Sequence, residues 1–112
     1  LHLPLTVATR HLLGAAEFAA MRPGVRLVNT ARGELVDGDA LAQALRSGQV
    51  RAYSADVAAG EPPDPADPLL GAPNTMFTPH MAYLSQASAR RYELDPARNL
   101  VAALRKKGAL TR

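Results

Sequence analysis

The sequence predicts an α/β fold, in which a parallel sheet is joined by helical crossovers. Short apolar segments recur at 25–30, 51–57 and 75–78, and the first is apolar on both faces apart from Arg26, as in buried parallel strands. Segments with the apolar spacing of helices alternate with them. This rhythm of strand and helix is typical of a parallel sheet covered by helices.

The first elements follow from local signals. Residues 1–4 are predicted to be the end of a strand, since Pro4 closes a short apolar segment. A short helix is predicted at 15–21, because Pro23 and Gly24 behind it cannot continue a helix. The strand at 25–30 comes next.

A second helix is predicted between the strands at 25–30 and 51–57. Asp37 is placed to cap its start, and Gly48 is placed to end it. Leu41 and Leu45 share one face, which predicts that this face packs on the sheet.

The last third of the chain combines a stiff loop with a long helix. Residues 60–74 contain five prolines and two glycines, which predicts a loop with little regular hydrogen bonding. A helix is expected at about 86–107, but Pro96 in its middle costs ~3 kcal/mol. Either the helix kinks there, or Asp95 caps a second helix that begins at Pro96. We therefore predict an interruption within a few residues of Asp95.

The composition predicts a soluble, globular chain of about one small domain. The 112 residues are 47% hydrophobic and 21% charged, with no run of about 18 apolar residues that could span a bilayer. The net charge is +3, but seven of the thirteen basic residues lie after residue 89, where only Tyr92 could stack on a base. We expect neither a membrane nor a nucleic acid as partner.

Cysteine and histidine usage narrows the chemistry further. The chain has no cysteine, which excludes a disulfide framework or a thiolate metal site and fits a reducing compartment, so we expect a cytoplasmic location. His2 and His11 match no metal-ligand spacing and are interpreted as structural or solvent-facing. No metal site is predicted.

Three titratable residues follow predicted strands and are the candidate catalytic groups. Arg32, Glu61 and His80 come after the strands at 25–30, 51–57 and 75–78, respectively. In parallel α/β sheets the carboxyl ends of the strands open onto one crevice, where ligands bind. The three side chains are therefore expected to converge.

Their chemistry is complementary. The guanidinium of Arg32 offers a bidentate fork to a carboxylate. The imidazole of His80 can give or take a proton near neutral pH, and a carboxylate such as Glu61 orients it and favours its charged form. Taken one at a time, each residue has a plainer interpretation: Arg32 as a surface ion-pair partner, Glu61 as a solvated loop acid and His80 as a capping or core-edge histidine. Their shared location favours a site.

Four segments resemble the D-isomer-specific 2-hydroxyacid dehydrogenases, in that family's order and spacing. They are "HLPLTVATRHLLG" at 2–14, "MRPGVRLVNTARGELVDGDAL" at 21–41, "ADVAAGEPP" at 55–63 and "TPHMA" at 78–82. The resemblance implies a partial Rossmann-like sheet, the second half of a dinucleotide-binding domain, followed by a C-terminal helix. It also implies NAD as cofactor, with NADP not excluded.

The resemblance also implies roles for individual residues. Arg32 would hold the substrate carboxylate, His80 would be the proton donor and acceptor, and Glu61 would be its partner. Asp56 would bond the nicotinamide carboxamide. The residues implied on the cofactor side as a whole are Leu3, Pro4, Thr9, Thr30, Ala31, Arg32, Asp56, His80 and Ala82.

Within this family the chain is most similar to the glycerate dehydrogenase or hydroxypyruvate reductase branch. It departs from that branch at Tyr83, where tryptophan is usual, and at Pro96, where an aliphatic residue is usual. Formate dehydrogenases of the same fold carry glutamine at the position of Glu61, which favours a 2-hydroxy or 2-oxo acid as substrate here.

The rest of a dinucleotide site is not found in the sequence. No Gly-x-Gly occurs in the 112 residues, although a pyrophosphate site of this type needs such a turn. We expect a C-terminal part of a longer enzyme, with residues 1–84 as partial cofactor domain and 85–112 as C-terminal helix. Alone it is expected to be inactive, and the complete enzyme is expected to be a homodimer. The ending "KKGALTR" departs from the family's usual tail.

Two rival functions stay open at this point. One is a non-catalytic regulator that senses NAD(H) on the same fold, as the family's corepressor members suggest. The other is an inactive, truncated gene product. The sequence distinguishes neither NAD from NADP nor one 2-hydroxy acid from another.

Overall fold

The computed structural model describes residues 1–107, which form two compact units. The first unit is Leu1–Ala82 and the second begins at Tyr83. The elements in chain order are α1 (Ala15–Ala20), β1 (Val25–Asn29), a 3-10 turn (Gly33–Leu35), α2 (Gly38–Ser47), β2 (Val50–Ala55), β3 (Thr75–Phe77) and α3 (Gln86–Lys106).

The three strands form one parallel sheet in the order β1-β2-β3, which confirms the predicted α/β class. Tyr53 of β2 pairs with Leu27 of β1 on one side and with Thr75 of β3 on the other. The predicted strand bounds differ from these by one or two residues at most ends. The long loop between β2 and β3 has no regular element, as its prolines predicted.

The core lies between one face of this sheet and helices α1 and α2. Leu41 and Val50 are fully buried, and Phe18 and Tyr53 are nearly so. The rings of Tyr53 and Phe77 meet edge to face, with their centroids 5.9 Å apart. Burial of side chains of this size contributes about 1.5–3 kcal/mol each, so this small set stabilises the first unit.

Helix α2 has the ends that the sequence predicted. The carboxylate of Asp37 accepts a hydrogen bond from the Ala40 amide at 3.0 Å, and Gly48 closes the helix with φ of 80°. That angle lies in the left-handed region, which glycine enters without steric cost. The two ends fix the 3-10 turn and the start of β2 on either side of the helix.

The predicted strand at residues 1–4 is wrong. These residues form no strand, although the Leu1 amino group donates to the carbonyl of Val28 in β1 at 2.6 Å. One bond does not make a ladder, and Pro4 has no N–H with which to extend it. A short apolar segment alone is therefore a weak signal for a strand, because a strand also requires repeated pairing with a neighbour.

The predicted interruption near Asp95 is also absent from the described residues. Helix α3 is continuous from Gln86 to Lys106 with Pro96 inside it. Proline removes one hydrogen bond, but the turns on either side keep theirs, and the Arg98 guanidinium pairs with the Asp95 carboxylate at 3.5 Å in the same turn. In residues 1–107, no helix is long and apolar enough to cross a membrane.

Candidate functional site

The carboxyl ends of the three strands lie side by side and start the candidate site. Asn29 at the end of β1 pairs with Ala55 of β2, which pairs with Phe77 of β3. The amide of Thr78 donates to the Ala55 carbonyl at 2.9 Å, so pairing continues just past β3. The loops that carry the three predicted catalytic residues therefore leave the sheet at one edge.

Glu61 and His80 form a hydrogen-bonded pair at this edge. The Nδ1 atom of His80 lies 2.7 Å from Oε2 of Glu61, and the side chains are 44% and 43% exposed. They border a cavity of about 450 Å³ whose walls include Pro62, Pro63 and Phe77. Because Nδ1 is engaged by the carboxylate, Nε2 is the nitrogen left to exchange a proton with a ligand.

Arg32, which follows β1, adds positive charge to the surroundings of Glu61. The hydrogen bond from His80 lowers the pKa of Glu61 from its ordinary value, and the positive charge of Arg32 lowers that pKa further. The Arg32 guanidinium donates to the Ala31 carbonyl at 2.6 Å. Within residues 1–107 no carboxylate forms an ion pair with it, so the rest of its fork can take an anion.

The loop after β1 touches the loop after β2 through backbone alone. A Cβ atom added to Gly33 would overlap the backbone of Ala58 and Ala59. Only glycine permits this approach, which brings the turn of Arg32 against the segment that leads to Glu61. The spacing of the two loops is thereby set by the main chain.

Asp56 holds the loop that carries His80. This buried carboxylate accepts hydrogen bonds from the Thr78 hydroxyl and from the amides of Met81 at 2.9 Å and Ala82 at 2.7 Å. His80, between these anchors, has φ of 51°. Few residues other than glycine adopt that angle without support, and the bonds to Asp56 on both sides supply it. The predicted contact of Asp56 with nicotinamide stays a prediction.

Acid is expected to release this loop. The hydrogen bond from Thr78 lowers the pKa of Asp56 below its ordinary value of 3.8, and the two amides act in the same direction. A carboxyl with a lowered folded-state pKa adds stability above its unfolded pKa and loses it as the pH falls through the folded value. The stability difference between the native chain and its Asp56→Asn variant should therefore be large at neutral pH and vanish below the ordinary carboxyl range. Urea unfolding as a function of pH measures it.

The exposed loop acid Asp64 is the matched control for that experiment. Its carboxylate accepts one local hydrogen bond, from the Ala66 amide at 2.8 Å. Asp64→Asn should change the free energy of unfolding little at any pH. A stability loss for Asp56→Asn that stayed constant from neutral to acid pH would contradict the assigned role of its charge.

A second cavity, of about 570 Å³, adjoins Arg32 in the same unit. Five of the residues implied on the cofactor side line it, and these are Leu3, Pro4, Thr30, Ala31 and Arg32. His2 lines it too, although the sequence favoured a structural or solvent-facing role for this residue. The place of His2 beside the second cavity could not be predicted, because it depends on how the first loop packs against the end of β1.

The remaining predicted residues lie around the two cavities without lining the second. The hydroxyl of Thr9 donates to the Pro4 carbonyl at 2.8 Å and braces the segment that borders the second cavity. Ala82 contributes its amide to Asp56. His11 lines another cavity, whose walls also include Asp37 and Tyr53.

Asn29 is the residue that sequence reasoning missed. Its side chain is fully buried at the end of β1 and hydrogen-bonds to the turn that leads to Arg32. The signal was present in the sequence as a polar residue that ends an apolar strand just before a glycine turn. What the pattern lacked was any sign that this amide is buried.

Comparison with known proteins agrees with this geometry. The sequence model of the D-isomer specific 2-hydroxyacid dehydrogenase NAD binding domain matches residues 1–82. The chain is 43% identical over 102 residues to a glyoxylate reductase of Aeropyrum pernix, covering 91% of this chain and 30% of that protein. It is 41% identical over 104 residues to glyoxylate/hydroxypyruvate reductase B of Pectobacterium atrosepticum, covering 91% and 32%.

A solved structure supports the same relationship. The crystal structure of a glyoxylate reductase from Paecilomyes thermophila superposes with a TM-score of 0.82 and 40% sequence identity, covering 96% of this chain and 32% of that one. The chain thus spans about a third of the length of the relatives it matches. It belongs to the D-isomer specific 2-hydroxyacid dehydrogenase family, whose NAD binding domain its first 82 residues match.

Proposed function

We propose that this chain contributes the acid-base pair and the carboxylate clamp of an oxidoreductase that interconverts small 2-hydroxy and 2-oxo acids with a nicotinamide cofactor. The substrate is of the glycerate, hydroxypyruvate or glyoxylate type. The hydrogen-bonded pair of Glu61 and His80, at the same sheet edge as the loop that carries Arg32, is the observation that carries this proposal.

The second cavity fits the nicotinamide end of such a cofactor. Leu3, Pro4 and Ala31 line it with apolar atoms that can pack against a ring, and Thr30 contributes a hydroxyl to the same lining. When bound there, the nicotinamide would supply or accept the hydride. The pyrophosphate is outside this fit, because the 112 residues contain no Gly-x-Gly turn. NAD is proposed as the cofactor, and NADP is equally compatible with these residues.

The described residues divide the rest of the chemistry among them. In the direction of reduction, the fork of Arg32 holds the substrate carboxylate and orients the neighbouring carbonyl. Nε2 of His80 gives its proton to the carbonyl oxygen as hydride reaches the carbon, which yields the hydroxyl group. Glu61 keeps its bond to Nδ1 and stabilises the charged imidazole before that transfer. Oxidation runs the same steps backwards.

The direct test places this chain in a full-length chimaeric enzyme, called the host here, and measures its activity. In the host, this chain replaces the matching stretch of the Aeropyrum pernix glyoxylate reductase, to which it is 43% identical. The proposal predicts oxidation of NADH that depends on glyoxylate or hydroxypyruvate. A host that folds and binds NADH but turns over neither acid would favour a non-catalytic, cofactor-sensing role.

In this host, Arg32→Lys is expected to raise the KM for glyoxylate by about 10- to 100-fold, because a point charge replaces a bidentate fork. The KM for NADH should rise by less, because Arg32 borders the second cavity but is assigned to the substrate carboxylate. Arg26→Lys, an exposed arginine within β1, is the matched control and should alter neither constant. Steady-state kinetics measures both. Equal effects of the two substitutions would contradict the assignment of the clamp.

The remaining expectations concern the complete protein. A homodimer and a cytoplasmic location are proposed from family resemblance, together with the small acid as the partner bound in the site. Sedimentation of the full-length protein tests the first.

A further inference from the structure

Asn29 is a fully buried polar side chain that the proposed mechanism does not use directly. Its Nδ2 donates to the Arg32 carbonyl at 2.8 Å, and its Oδ1 accepts from the Ala31 amide at 3.0 Å. Nδ2 also lies 3.4 Å from the Tyr53 hydroxyl. Burial of an amide is costly unless its donors and acceptor are satisfied, and here both ends are.

These bonds fix the backbone on both sides of the Arg32 Cα atom. The Ala31 amide begins the peptide segment before the arginine, and the Arg32 carbonyl ends it, so one side chain holds both ends of the segment from which the guanidinium projects. Arg32 is extended there, with φ of −147° and ψ of 139°. An asparagine side chain that bonds to the backbone two residues on closes a turn. Here that turn sets the direction in which Arg32 leaves the sheet.

The same residue also connects the two halves of the site. The backbone carbonyl of Asn29 accepts from the Asp56 amide at 3.0 Å. Asp56 in turn holds the loop of His80 through Thr78, Met81 and Ala82. Asn29 and Asp56, two adjacent and buried residues at the ends of β1 and β2, therefore hold the loops of the clamp and of the acid-base pair.

We propose that Asn29 is a positioning residue for Arg32. Its side-chain bonds set the angle at which the Arg32 guanidinium meets the substrate carboxylate. This inference rests on the proposed function, since it needs Arg32 to be the clamp. It differs from a purely structural role in one respect: loss of the amide should weaken carboxylate binding more than cofactor binding, and only while Arg32 is present.

The experiment uses the host enzyme with Asn29→Asp, Arg32→Ala and the double variant. Aspartate has the shape of asparagine and keeps the acceptor for the Ala31 amide, but the ionised carboxylate has no donor for the Arg32 carbonyl. Asn29→Asp is expected to raise the KM for glyoxylate by about 10- to 100-fold and the KM for NADH by less than about twofold. In the Arg32→Ala background the same substitution should add less than about twofold, because coupled residues are not additive.

The pH profile supplies an independent readout. Burial raises the pKa of a carboxyl group, and the protonated form regains an O–H donor for the Arg32 carbonyl. The KM ratio between Asn29→Asp and native host should therefore shrink as the pH falls. A ratio that is constant with pH would overturn the role of that donor.

Two further variants separate positioning from stability. Val50→Ala removes a fully buried side chain at the opposite end of the sheet and should lower the free energy of unfolding without a selective rise in the KM for glyoxylate. If Asn29→Asp yields little folded enzyme, the same comparisons use Asn29→Ser, whose hydroxyl can replace one of the two bonds.

The possible failures are distinguishable. If Arg32→Ala leaves the KM for glyoxylate unchanged, the proposed function fails and the inference fails with it. If Arg32→Ala raises that KM but the Asn29 variants do not, or if the two effects add fully in the double variant, the clamp stands and the positioning role of Asn29 is overturned.

Discussion

Replacing His80 by alanine in the host enzyme is expected to lower kcat by about 10²- to 10⁴-fold, the usual contribution of a positioned general acid. Nδ1 of His80 is bonded to Glu61 at 2.7 Å, so the imidazole is oriented before substrate arrives. Without it, the carbonyl oxygen must take its proton from water. The KM for NADH should change little, because His80 does not line the second cavity, where the nicotinamide is proposed to bind. Single-turnover oxidation of bound NADH isolates the loss.

His11 provides a control with a matched backbone. Its φ is 52°, against 51° for His80, so both histidines stand in the left-handed region and alanine meets the same strain at each. His11→Ala should leave kcat nearly unchanged. If both variants lost turnover equally, backbone strain would account for the effect and His80 would have no part in the proton transfer.

Gly33→Ala is expected to destabilise the chain by at least about 3 kcal/mol, at the upper end of what overpacking usually costs. The added methyl would overlap the main chain of Ala58 and Ala59 rather than a side chain that could turn aside. The two loops must separate, which also carries Arg32 away from Glu61. Urea unfolding measures the first effect and glyoxylate kinetics in the host measures the second.

Gly38→Ala is the comparison for Gly33→Ala. Gly38 is the first residue of α2, and a methyl there would lie 3.8 Å from Leu69 and Pro68, an ordinary van der Waals distance. Alanine favours a helix over glycine, so this variant should be neutral or slightly stabilising. Equal losses at both positions would show that the close approach of the loops at Gly33 has no special cost.

The sheet and the meeting of Glu61 and His80 were predictable because their signals are local or topological. Apolar runs and glycine or proline boundaries locate the strands, and Asp37 and Gly48 mark the ends of α2. Once the strands are known to be parallel, residues after their carboxyl ends must share one edge, which is why His80 and Glu61 could be paired in advance.

Features that depend on distant contacts were not predictable. Nothing near Asp56 in the sequence indicates that its carboxylate binds three groups around His80, which lie 22 to 26 residues further along the chain. The opposite error occurred at Pro96, where a strong local signal was overridden by the intact turns on either side within α3. Local signals predict elements, whereas support between loops requires the folded chain.

The contact between main chains at Gly33 leaves the walls of the site free to vary. Because main chain meets main chain there, the spacing of the two loops does not depend on the size of the side chains that line the cavity. We expect residues such as Pro63 and Phe77, which border the cavity beside His80, to tolerate a change of volume without separating the two loops. Under the proposed function, a change in this lining would alter which acids fit while the two loops keep their spacing.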